Sequence, residues 1–176
     1  LSTTFSSNGR VGYSKGDATG GLGLIYKDEN MLFEAALMIG KSATQVSNNA
    51  RNDNGYNEDF VKQVSAQQVT NNTAAFEGTA TFIDANSTSP IGLKVKSKML
   101  AFANQPDDKY VIVEYEIFNT SSTALEGIYT AMFTDWDLDE SSANATRYDA
   151  PTKIAYTYAK KNASYPYTGV KLLTNL

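Results

Sequence analysis

Clusters of Asn, Asp, Gly, Ser and Pro interrupt this chain at short intervals: Ser6–Gly9, Asn52–Asn57, Asp84–Pro90, Asn104–Asp108 and Asn119–Thr123. Such residues favour turns because they tolerate left-handed backbone, preset φ or bond to their own main chain. The runs between and beside them are apolar, β-branched and aromatic, and read as strands: Leu22–Tyr26, Met31–Ile39, Val61–Val69, Ala75–Ile83, Leu93–Ala103, Tyr110–Phe118, Ile128–Leu138, Ile154–Ala159 and Val170–Leu173. Spacing of this kind points to a sandwich or barrel. The expected fold is all-β, a sandwich of two mainly antiparallel sheets. Two stretches carry a helical alternative. Asn57-Glu-Asp offers an N-cap ahead of Phe60–Val69, and Met31–Met38 is apolar enough for a buried helix; strands are the preferred reading of both.

At 176 residues the chain suits one domain, residues 1–176, with a hydrophobic core of its own. It opens at Leu1 without a charged and apolar leader, and Gly169–Leu176 reads as a strand cut short, so the domain is expected to be incomplete at its C-terminus. Within one strand a register follows from charge. Lys94, Lys96 and Lys98 alternate with Leu93, Val95 and Met99, while Glu114 and Glu116 alternate with Val113, Tyr115 and Ile117. An antiparallel hairpin would set the lysine row beside the glutamates on the solvent side.

Composition removes whole classes of chemistry. The chain has no His and no Cys, which excludes imidazole bases, thiolate nucleophiles, disulfides and the metal sites those ligands build. A bacterial exported protein fits a cysteine-free domain better than an extracellular eukaryotic one. A net charge of −4 and a pI of about 4.8 supply no field for phosphate backbones or anionic lipid, so nucleic acid is not an expected partner. The longest apolar run, Ala35–Ile39, is too short to insert into a membrane. Sequons begin at Asn71, Asn86, Asn119, Asn144 and Asn162, as chance would place them in a chain this rich in Asn, Ser and Thr.

Gly12-Tyr-Ser-Lys-Gly16 matches a nucleophile elbow in form. That turn needs a strand before it, a helix after it and a histidine to take the serine proton; with loop residues following and no histidine, it reads as a Gly/Ser turn. Gly20-Gly21-x-Gly23 lacks dinucleotide-binding spacing and also reads as a turn. No residue is singled out as catalytic.

The strongest local signal is Asp135-Trp-Asp-Leu-Asp-Glu140. Alternate strand positions lie roughly 6.5 to 7 Å apart on one face, so Asp135, Asp137 and Asp139 would crowd three carboxylates together. Like charges there call for a neutralising partner. Ca²⁺ is the candidate cofactor, held by Asp135, Asp137 and Asp139 with turn carbonyls; the alternative is a solvated acidic turn. The run does not match an EF-hand loop, because Glu140 and Thr146 stand where its Gly and bidentate Glu belong. Paired carboxylates can also hydrolyse glycosides without histidine, and abundant Tyr and Asn suit a sugar-binding face.

Several stretches resemble a known region. Ser7–Tyr13, Gly21–Tyr26, Leu32–Gly40, Glu58-Asp-Phe60, Pro106–Thr120 and Leu125–Asp137 are similar in pattern to the region downstream of the catalytic domain in subtilisin-like (S8 family) peptidases secreted by Bacteroidetes-type bacteria. The resemblance implies a secreted or cell-surface bacterial location. It further implies a non-catalytic accessory role, with the catalytic domain of the parent chain as partner. A module that binds carbohydrate, meaning polysaccharide or a cell surface, is the alternative.

Overall fold

The computed structural model describes residues 1–14, 19–52, 55–70 and 73–173. Lys15, Gly16 and Asp17 of the serine-containing turn, the sequon at Asn71 and the end of the Gly169–Leu176 segment lie outside them. The chain is all-β. Its strands are β1 (Ser2–Thr3), β2 (Arg10–Gly12), β3 (Leu24–Tyr26), β4 (Glu29–Ser42), β5 (Gln45–Asn48), β6 (Arg51–Asn52), β7 (Gly55–Tyr56) and β8 (Val61–Val69). They continue as β9 (Phe76–Ile83), β10 (Leu93–Ala101), β11 (Val111–Asn119), β12 (Tyr129–Trp136), β13 (Asn144–Asp149), β14 (Ile154–Ala159) and β15 (Thr168–Lys171). Both stretches with helical alternatives are strands.

All strand pairs among the described residues are antiparallel. One large sheet is built on β4. Along one of its edges β3, β2 and β5 pair in turn with successive stretches, and β12 runs along the other from Leu32 to Gly40. The second sheet has the order β11-β10-β9-β8. Beyond the two expected sheets stand a three-stranded sheet, β13-β14-β15, and a ribbon, β6-β7. Of their strands, β14 and the end of β15 fall in runs read as strands from the sequence, whereas β6, β7 and β13 are short and polar, without the apolar alternation that reveals a strand.

The near-continuous apolar run of β4 explains its central place, because such a strand is buried on both faces. A bulge opposite Asp135 and Trp136 leaves Phe33 without a register partner, so Leu32 joins Ala35, Leu37 and Ile39 on the inner face while Met31 faces outward. Leu37 and Ile39 meet Phe60, Phe82, Ile91, Leu93 and Val95 between the two large sheets. Val11, Leu32, Ala35 and Met99 continue that layer with Met132 and Trp136. On the outer face Met31 packs with Leu138 and Ala159, which seats the three-stranded sheet there. Asp84 fixes the β9–β10 turn: its buried carboxylate accepts the N–H groups of Ile91, Gly92 and Leu93 and the Ser47 hydroxyl.

The β10–β11 hairpin has the expected register. Lys96 faces Glu116 and Lys98 faces Glu114, while Leu93, Val95 and Met99 are buried on the other side. Lys98 Nζ lies 2.5 Å from Glu114 Oε2. Lys94 and Lys96 each hold the ammonium 5.1 Å from the Phe118 ring centroid.

Phe82 is fully buried, with its ring 5.1 Å from that of Phe60 and against Gly9. Phe82→Ala is expected to cost about 3–5 kcal/mol, read from the urea-unfolding midpoint at unchanged slope. A loss below about 1 kcal/mol would mean that the sheets do not depend on this contact.

Candidate functional site

The outer face of β4 carries one charge in its apolar run. Glu34 is fully buried, and a carboxylate withdrawn from water is costly unless ionic and hydrogen-bonding partners replace the solvent. Arg10 of β2 faces Ala36, one pleat along from Glu34, and forms an ion pair with it while itself only 3% exposed. Arg51 of β6 sends Nε to Glu34 Oε1 at 3.1 Å and Nη2 to Asp135 Oδ2 at 2.6 Å. Aromatic faces complete the site: the Arg10 guanidinium lies 4.6 Å from the Tyr56 ring centroid and that of Arg51 4.6 Å from Phe33. Burial pulls the Arg10 guanidinium below its ordinary value; Tyr56 opposes this, and the charge of Arg51 adds to it.

A polar cleft of about 260 Å³ opens beside this network, lined by Asn8, Arg10, Ser14, Asn49, Tyr56, Asn57 and Glu58. The Ser14 hydroxyl donates to the Gly20 carbonyl at 2.7 Å, within its own loop. Glu58 is the single carboxylate among the described lining residues.

The acidic run is split by the end of β12 at Trp136. Asp135 is the last of its carboxylates on the strand, and the neutralising charge it calls for comes from Arg51. Asp137 follows, its N–H donating to Met31 O at 3.1 Å. Its carboxyl is pushed up by burial and then by Asp135, with Arg51 acting against both. Asp139 is exposed and in left-handed backbone, φ 48°, which ends the two-residue alternation. Among the described residues no three His, Cys, Asp or Glu side chains gather to hold a metal ion.

A second surface lies on the three-stranded sheet. Its inner face holds Ala159 and Thr157, both buried, with the Thr157 and Thr146 hydroxyls 3.0 Å apart. Tyr156 and Tyr158 point the opposite way, and Tyr167 joins them from the residue before β15. Their ring centroids are 5.4, 5.9 and 6.3 Å apart, with interplanar angles of 30°, 6° and 36°. The other aromatic pairs, Tyr13–Phe33, Phe60–Phe82 and Phe102–Tyr110, are tilted by 58 to 60°. Tyr167 thus stacks on both strand tyrosines, nearly parallel to Tyr156, and is 63% exposed.

Compared with family models, curated proteins and solved structures, the chain matches none. The Arg10–Glu34–Arg51 network was missed in the sequence, although a lone Glu in the run Met31–Ile39 was its signal. The tyrosine face had the signal Tyr-x-Tyr in a strand, which shows a shared face but not that Tyr167 joins it.

Glu34→Gln is expected to destabilise the protein by about 3–5 kcal/mol, because Arg10 is left buried without its counter-charge. Denaturant unfolding measures this, and the double replacement Arg10→Met, Glu34→Leu should recover most of the loss. A near-neutral Glu34→Gln would show that the pair does not hold the sheet. The raised Asp137 carboxyl gives a second expectation. The folded state keeps this proton to higher pH than the unfolded chain, so its stabilisation is present below the ordinary carboxylate value and lost as pH rises through the raised one. Asp137→Asn should therefore raise the melting temperature at neutral pH and flatten its decline from about pH 4 to pH 7. Parallel melts of the two proteins measure this, and an unchanged slope would contradict it.

Proposed function

We propose that this chain is a non-catalytic accessory module of a secreted bacterial subtilisin-like peptidase. In this reading it packs beside the catalytic domain of its own parent chain. The observation that carries the reading is the way the charges around β4 are used. Arg10, Glu34, Arg51 and Asp135 bond to one another across β2, β4, β6 and β12, where they hold strands in register. Ser14, the one serine in a nucleophile-like setting, turns its hydroxyl into its own loop. The pattern resemblance over Ser7–Tyr13, Leu32–Gly40 and Leu125–Asp137 supports the peptidase context. A second reading, a module that also binds carbohydrate or a cell surface, is favoured by the exposed Tyr167 stacked on the two tyrosines of β14.

The purified chain is expected to hydrolyse no peptide, ester or glycoside substrate, and Ser14→Ala to leave every trace unchanged. Turnover abolished by Ser14→Ala, or by Glu58→Gln in the cleft, would overturn the non-catalytic reading.

A further inference from the structure

We propose that the outer face of the three-stranded sheet binds an acidic polysaccharide, with Tyr167, backed by Tyr156 and Tyr158, as the stacking surface and Arg147 and Lys171 as the anion contacts. The proposal rests on the surface-binding reading above and names its ligand class.

Strand register builds this face. Arg147, Tyr156 and Gly169 stand side by side across β13, β14 and β15, and Ile154 and Lys171 form part of the next row. Tyr158 lies one pleat beyond Tyr156, against Tyr167. Gly169 lets β15 approach the backbone of β14 closely beside Tyr156. A Cβ at that position would sit 2.6 Å from the Ala155 carbonyl and 3.1 Å from Tyr156 Cα.

Tyr167 stacks on Tyr156 and Tyr158 and is itself 63% exposed, so its outer face is the aromatic surface that this group offers to the solvent. A pyranose ring meets such a face with its polarised C–H groups and leaves its hydroxyls at the rim. Tyrosine suits this contact because its ring is large and rigid and carries a polar tip, so little conformational entropy is lost on binding.

Charge selects the kind of chain. The protein carries −4 overall, yet this face presents Arg147 and Lys171, and neither is ion-paired among the described residues. The one acid in their rows, Asp149, is turned into its own loop, where it accepts the Thr152 hydroxyl and, at 3.3 Å, the Thr152 N–H. The Arg147 fork matches a carboxylate bidentately. Two cations suit intermittent uronate groups and fall short of the continuous phosphate neutralisation that single-stranded nucleic acid requires.

The test is affinity electrophoresis of the whole chain in gels containing polygalacturonate, alginate or hyaluronan, with hydroxyethylcellulose as the neutral control. Oligo(dT) binding is followed in parallel by fluorescence anisotropy. At least one acidic polymer should retard the protein, and added salt should weaken the effect. Tyr167→Ala and Arg147→Ala should each weaken retention about tenfold, the scale of one interfacial anchor. Tyr167→Phe should retain most of it. Both positions are exposed, so unchanged melting temperatures show that the fold is intact. Retardation by none of the acidic polymers overturns the proposal, as does retention indifferent to Tyr167→Ala and Arg147→Ala. So does retention by the neutral polymer alone, or tighter binding to oligo(dT). None of these outcomes bears on the non-catalytic reading, which turnover assays decide separately.

Discussion

A buried carboxylate at Glu34 is the constraint around which the large sheet is arranged. Several kcal/mol of lost hydration must be offset by ion pairing, and the offset comes from cations on two other strands, Arg10 and Arg51. Slipping β2 by one residue along β4 would turn Arg10 into the apolar layer and expel Val11 from it. The ion pair therefore acts on register. Arg51 extends the same demand to β12 through Asp135, so the strands flanking β4 answer to one charge.

This arrangement makes β4 a strand with both edges paired and both faces covered. Its inner face meets β9 and β10 through Leu37, Ile39, Phe82 and Val95, and its outer face is shared between the charge network and the small third sheet. Because Ala159 and Thr157 seat that sheet, the alternate residues of β14 must point away from the body. The tyrosine face thus follows from the same stacking of layers that buries Met31. The acids at β4 and β12 are paired with Arg10 and Arg51, whereas Arg147 and Lys171 on the outer layer form no ion pair among the described residues.

Much of the architecture was legible in the residues. Ile154–Ala159 and Val61–Val69 are strands with the ends their composition suggests, and the Lys and Glu rows set the β10–β11 register because alternation has a period of two. Short polar strands were not legible. Asn144–Asp149 carries no apolar run, and only pairing with β14 makes it a strand. The acidic run shows the same limit. Two-residue periodicity groups its aspartates only while the strand lasts, and the chain leaves the strand at Trp136.

By itself the sequence determined the all-β class, the principal strands and the lack of imidazole and thiol chemistry, since these depend on local composition and periodicity. Tertiary structure alone decided which charges meet. Arg10, Glu34, Arg51 and Asp135 are far apart in the chain and are joined by strand order, which local pattern does not encode. The same holds for the tyrosines. Tyr156 and Tyr158 share a face by periodicity, but Tyr167 reaches them only because β15 returns antiparallel to β14.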